Sequence, residues 1–133
     1  LGEIGSGHTI KLINNFFGMT VANAMAEAFA MADVAGVDRA ELYKVMAAGP
    51  LHSGMMDFVK TYGVDKDPSA IAFAIKNAAK DVGYYVKMAE DAGVDSLMSK
   101  GTLTALTQAR DSGQSEDMVG QMVDFYVKRF AKK

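Results

Sequence analysis

An all-α fold, with six or so helices around one long, largely buried N-terminal helix, is what this sequence predicts. Three observations carry that prediction. Apolar residues recur at helical rather than alternating spacing, and no period-two run bounded by turn residues occurs in the 133 residues. Gly36-Val37-Asp38 and Gly93-Val94-Asp95 each combine a residue type that ends a helix with one that starts the next. Between Gly7 and Ala32 the formal charges are Lys11 and Glu27 alone, so the first helix is apolar on nearly all its faces.

Taken in order, the first helix is expected from about Gly7 to Ala35, roughly 40 Å at 1.5 Å per residue. Gly36 suits the left-handed position that follows a last helical turn. Asp38, with Glu41 three residues on, has capping-box spacing for a second helix from Arg39 to about Ala48, ended by Gly49-Pro50. Ser53 can cap a short third helix through Met55, Met56, Phe58 and Val59. Gly63 to Pro68 reads as a loop, with Asp67 as N-cap and Pro68 as first residue of a fourth helix that continues to Ala92. The stretches Met31 to Asp38 and Met88 to Asp95 look alike, but nothing outside them aligns, which indicates shared connector chemistry rather than a repeat. A fifth helix covers Ser96 to Asp111 and breaks at Ser112-Gly113. The last starts near Ser115, with Glu116 and Asp117 at its positive end and Lys128, Arg129, Lys132 and Lys133 at its negative end. Met118, Met122, Phe125, Tyr126 and Phe130 give it an apolar stripe.

Composition excludes several functions. A net charge of −2 and a pI near 5.6 predict no electrostatic attraction to nucleic acid or to acidic membranes. The absence of cysteine removes disulfide, zinc-thiolate and thiol-nucleophile chemistry and is compatible with a reducing compartment. His8 and His52 are too few and too isolated for a metal site, and without a His–acid–nucleophile grouping hydrolase chemistry has no support. The ten methionines read as adaptable core filling. Phe16 to Ala35 is apolar enough to raise the question of a membrane span, and Asn23, Glu27 and Asp33 within it argue against one. No signal peptide leads the chain, and its start at Leu1, close to a long helix, suggests a piece of a larger protein.

The residues that invite chemistry sit in Gly5-Ser6-Gly7-His8-Thr9-Ile10-Lys11-Leu12-Ile13-Asn14-Asn15. Lys11 and Asn15, four apart, share a helical face and can address one small object. A lysine on so apolar an element has two readings. Its stem can cover apolar surface while the ammonium reaches water. Alternatively it is partly desolvated, its pKa pulled down, and fit to exchange a proton with a hydroxyl or carbonyl. Asn15 divides likewise, between a satisfied amide and one that orients substrate. The Gly-Ser-Gly segment is not a dinucleotide fingerprint, since Ile10 stands where a third glycine belongs and no strand precedes it. Gly5 and Gly7 suit a sharp entry into the helix. Further on, Lys76, Lys80 and Lys87 fall on one helical stripe, which reads either as a solvated face or, with Phe73 seven residues before Lys80 near the same face, as a place where a ring and a cation approach one ligand.

Gly5-x-Gly7-x-x-x-Lys11-x-x-Asn14-Asn15 resembles the helix-opening motif of the β-hydroxyacid dehydrogenases, the 3-hydroxyisobutyrate dehydrogenase family. Phe73 followed by Lys80-Asp81 resembles that family's downstream Lys-Asp motif, and the likeness extends over essentially the whole chain. The resemblance implies that residues 1–133 are a helical C-terminal substrate and dimerisation domain, of the 6-phosphogluconate-dehydrogenase-like type. An N-terminal Rossmann domain, absent from this chain, would bind most of an NAD or NADP cofactor. Lys11 then corresponds to the catalytic lysine, Asn15 to the amide that positions substrate, and Lys80 to a lysine reaching the nicotinamide end, with Phe73 bordering the cleft. A small β-hydroxyacid or semialdehyde is the implied substrate, a homodimer or higher oligomer the implied assembly, and the cytoplasm or an organelle matrix the implied compartment. The fragment alone is expected to be inactive. The alternatives are a non-catalytic helical dimerisation module and a related reductase for succinic or tartronic semialdehyde. Imine reductases are disfavoured by Lys-x-x-Asn-Asn, and the larger sugar-acid enzymes by the short chain.

Overall fold

The long first helix organises everything else. In the computed structural model, which describes residues 3–131, six α-helices form: α1 (Glu3–Ala35), α2 (Arg39–Ala47), α3 (Gly54–Gly63), α4 (Ile75–Asp91), α5 (Leu97–Ala109) and α6 (Met122–Ala131). No strand occurs among the described residues, as expected. Each of the other helices packs on α1, whose 33 residues span about 50 Å. Its inner side carries Leu12, Met19, Ala22, Met25, Ala26, Phe29 and Ala30, all buried. From Met19 onward they meet Val59 of α3, Ile75 and Val82 of α4, Leu106 of α5 and Met122 and Val123 of α6 in one core. Burial of α1 is one-sided, however: Ile10, Ile13, Phe17, Met31 and Val34 are exposed along its other side. No helix among the described residues is long and apolar enough to cross a membrane.

The two Gly-Val-Asp connectors share one geometry. Gly36 and Gly93 adopt φ of 74° and 73°. At the first, the Val37 amide donates to the Ala32 carbonyl and Gly36 to Asp33; at the second, Val94 donates to Ala89 and Gly93 to Glu90. This is the Schellman arrangement, which satisfies the last carbonyls of a helix. Beyond the glycines the two differ. The Asp38 carboxylate caps α2 by accepting from the Ala40 amide at 2.9 Å, rather than through the expected capping box with Glu41. Asp95 instead pairs with Lys100, and Ser96 precedes α5.

Ser53 caps α3 as expected, accepting from the Met56 amide. The expected fourth helix starts later. Asp67 and Pro68 do open a helical turn, but it covers only Pro68–Ala70, and α4 begins at Ile75. No side chain caps α4; the amides of Ile75 and Lys76 donate to the carbonyls of Asp117 and Ser115, and the Val119 amide donates to the Phe73 carbonyl. A neighbouring segment therefore supplies the cap, and Phe73 lies before the helix rather than on it. For the same reason Ser115 to Met118 stays outside the last helix. The chain there bridges Ala74 through Met118, makes a short turn at Val119–Gln121, and only then enters α6. Glu116, Asp117 and Met118 are thus not part of α6, whereas Lys128 and Arg129 occupy its last turn. Lys132 and Lys133 lie outside the described residues. Ser112 and Gly113 break the chain after α5, with Gly113 at φ 103°.

One polar side chain, Arg39, fastens the end of α1. Arg39 donates to both oxygens of Asp33, at 2.9 and 2.7 Å, and to the Gly63 carbonyl at 2.8 Å, tying α1, α2 and α3 together. The Arg39 guanidinium holds the Asp33 carboxyl below its ordinary range. Asp57 is lowered likewise, by hydrogen bonds from Tyr43 and from His52. Both carboxyls therefore bind protons more weakly folded than unfolded. Their stabilisation is complete above the ordinary carboxylate pKa of about 4 and is lost as pH falls through the depressed folded values. The melting temperature is expected to decline between about pH 5 and pH 2, and Asp33→Asn to flatten that decline. A wild-type melting temperature constant across this window contradicts the assignment.

Candidate functional site

The two motif segments come together where α4 packs on the first half of α1. Leu12 is buried and Phe16 stacks on Tyr85 of α4, with ring centroids 4.2 Å apart and planes 10° from parallel. These apolar contacts fix the rotation of α1, so Lys11, on another face, is exposed and Asn15 is half-buried. The Asn15 Nδ2 donates to Asp81 Oδ2 at 3.4 Å, a long hydrogen bond that spans 66 residues of sequence. Lys80, beside Asp81 on α4, is exposed. Neither Lys11 nor Lys80 makes an ion pair among the described residues, whereas Lys76 pairs with Glu116 and Lys87 with Asp91.

Two premises of the sequence reading need correction. Gly5 and Gly7 do not mark a sharp entry: α1 starts at Glu3, both lie inside it, and a Cβ at Gly7 would meet nothing within 4 Å. Lys11 accordingly sits two turns into the helix rather than in its first turn. Phe73 does not share a helical face with Lys80, because it precedes α4; its ring is half-buried against the core. The residue missed as a contact is Asp81. Its signal was its place directly after Lys80 in the second motif, and the hydrogen bond to Asn15 makes it the link between the segments.

A separate groove of about 760 Å3 runs between α1, α5 and α6, lined by Thr20, Glu27, Met31, Met98, Gln108 and Arg129 among others, and it includes none of Lys11, Asn15, Phe73 or Lys80. Asn23 and Tyr126 at its base are joined by a 2.8 Å hydrogen bond. His52 is engaged with Asp57 at 2.8 Å, and no group of three metal-ligating side chains comes together among the described residues.

The described residues thus form an all-helical unit around one long helix, in which an amide–carboxylate contact joins two lysine-bearing segments. The chain belongs to the family described as NAD-binding of NADP-dependent 3-hydroxyisobutyrate dehydrogenase, whose model matches residues 5–126. It is 26% identical over 113 residues to glyoxylate/succinic semialdehyde reductase 1 of Arabidopsis thaliana, covering 85% of this chain and 39% of that protein. Its fold is similar to the crystal structure of 3-hydroxyisobutyrate dehydrogenase from Salmonella typhimurium, with a TM-score of 0.85, 24% identity, and coverage of 91% of this chain and 42% of that one. It is also similar to a structure described as Psf3 in complex with NADP+ and 2-OPP, with a TM-score of 0.78, 17% identity, and coverage of 94% and 43%. The chain thus spans about two-fifths of the length of these relatives.

Proposed function

We propose that this chain is the helical half of an NAD(P)-dependent oxidoreductase that interconverts a small β-hydroxyacid, or a short hydroxy acid, with its aldehyde. The other half, in this reading, is a Rossmann domain. The observation that carries the proposal is the Asn15–Asp81 contact, which draws the Lys11 and Lys80 segments to one side of the molecule. The name of the Arabidopsis relative supports short aldehyde acids such as glyoxylate and succinic semialdehyde as substrates, and the family description supports the nicotinamide cofactor.

The residues present fit such a cofactor at one end only. Lys80, exposed and without an ion pair among the described residues, suits an anionic or carbonyl-bearing portion of it. No strand, glycine-rich turn and helix unit exists among the described residues to cradle its phosphates, so a second domain is assigned that task. When bound, the nicotinamide supplies or accepts the hydride at the substrate carbon. Lys11 donates its ammonium proton to the carbonyl oxygen during reduction and takes it back from the hydroxyl during oxidation. Asp81 holds one N–H of Asn15, which leaves the rest of that amide to orient the substrate. Because Lys11 is exposed in this chain, the water-excluding wall that a hydride step needs must come from the partner domain.

The exposed apolar side of α1 supports a homodimer. Glu27 and Arg129 line the same groove as Met31 and Met98, so a second copy related by a two-fold axis can bury the apolar residues and pair the opposite charges. This face is also what a purely non-catalytic association module would need. The isolated 133-residue domain is expected to show no micromolar binding of NADH or NADPH by calorimetry, while the full-length protein oxidises NAD(P)H with glyoxylate or succinic semialdehyde. Micromolar binding by this domain alone contradicts the division of labour.

A further inference from the structure

We propose that the exposed side of α1 is a coiled-coil seam, along which α1 of a second copy of this chain lies antiparallel. The proposal rests on the homodimer reading above and deepens it, by naming the surface, direction and register of the contact.

The seam emerges when exposure is laid on the sequence of α1. Ile10 begins a row of residues spaced alternately three and four apart: Ile13, Phe17 and, past half-buried Thr20, Ala24, all exposed. The same spacing runs on through Glu27, Met31 and Val34, which are exposed as well. A period of 3.5 rather than 3.6 residues is what keeps one stripe of a helix facing a second helix wound around it. The outer side of an ordinary surface helix is polar, yet Glu27 is the one charged residue in this row.

The row also has the size that an interface needs. Thr20, Ala24, Glu27 and Met31 form the α1 wall of the groove between α1, α5 and α6, so a helix lying on the row rests against α5 too. Leu97 and Met98 of α5 border that groove and are 72% and 65% exposed. Together with the large apolar residues of the row they expose on the order of 800 Å2, the area per partner of a standard stable interface.

Charge and side-chain size set the direction. In a parallel pair each residue of the row meets its own counterpart, which would press two Glu27 carboxylates together. An antiparallel pair keeps them apart. Laid against itself over its whole length of about 36 Å, the row sets Ile10 opposite Val34, Ile13 opposite Met31 and Phe17 opposite Glu27. Thr20 and Ala24 then meet at the two-fold axis, where small side chains let the backbones approach, and the bulky residues fill both ends. Glu27 lays its methylenes on the Phe17 ring and keeps its carboxylate at the rim of the groove that Arg129 also lines.

The test measures sedimentation of the full-length protein as wild type, as Phe17→Glu, and as Phe17→Glu with Glu27→Lys, with helix content checked by circular dichroism. Phe17 is exposed, so its replacement leaves the core of each copy intact. Phe17→Glu sets two carboxylates against each other and is expected to weaken the dimer about tenfold or more. Adding Glu27→Lys makes that pair attractive and is expected to restore the dimer, which a parallel pair would not allow. In a separate variant, Ala24→Cys is expected to be joined to its own counterpart by a short bis-maleimide, with the linked peptides identified by mass spectrometry. A wild-type monomer at micromolar concentration removes the homodimer reading and the seam with it. A wild-type dimer that Phe17→Glu leaves intact removes the seam alone. A dimer that Phe17→Glu weakens and Glu27→Lys does not restore, or one in which Ala24→Cys is not linked to itself, overturns the antiparallel register.

Discussion

Under the proposed function, replacing Lys11 by alanine in the full-length protein is expected to lower kcat by about a hundredfold or more. Reduction of a carbonyl places an electron pair on its oxygen, and a positioned proton donor stabilises that charge as it develops. Lys11 is the cation on the α1 face that also carries Asn15, and among the described residues no carboxylate competes for its ammonium. Its exposure means that the substitution removes no core contact, so the fold should survive. The melting temperature and the sedimentation of the dimer should both match wild type. A dimer with undiminished turnover assigns the chain to association alone, and a monomer at micromolar concentration removes the proposed role of the apolar side of α1.

Phe29→Ala has the largest expected effect on stability, about 3–5 kcal/mol. Phe29 is fully buried and stands where three helices meet, its ring 6.0 Å from that of Tyr43 on α2 and tight against Gly63 on α3. Removing the ring leaves a cavity that neither neighbour can close, because Gly63 has no side chain and Tyr43 is held by its hydrogen bond to Asp57. Against a total stability of about 5–15 kcal/mol for a single domain, the loss is a large fraction. The melting temperature should fall by roughly 10–20 °C. A fall of less than about 3 °C would mean that the three-helix junction relaxes freely, contrary to the packing described.

What could be read from the sequence depended on how local the cause was. Gly36, Gly93 and Ser53 act on backbone groups within a few residues of themselves, and their helix ends stand where the residues indicated. Asp67-Pro68 is locally correct as a helical start, yet yields one turn, because Ile75 and Lys76 find their acceptors on Ser115 and Asp117, forty residues away. The same pairing delays α6 and moves Phe73 off the face of Lys80. Lys11 and Asn15 were legible as a pair because helical spacing alone joins them. Their partner Asp81 required the rotation of α4 on α1, which the Phe16–Tyr85 stack and the burial of Leu12 set.

The most direct test of the central claim follows the hydride itself. The full-length protein should be given NADPH deuterated at the reactive nicotinamide carbon together with succinic semialdehyde, and any hydroxyacid product weighed by mass spectrometry. The account predicts a product carrying the label, formed at least a hundredfold more slowly by Lys11→Ala. Unlabelled product, or equal rates in wild type and variant, contradicts it.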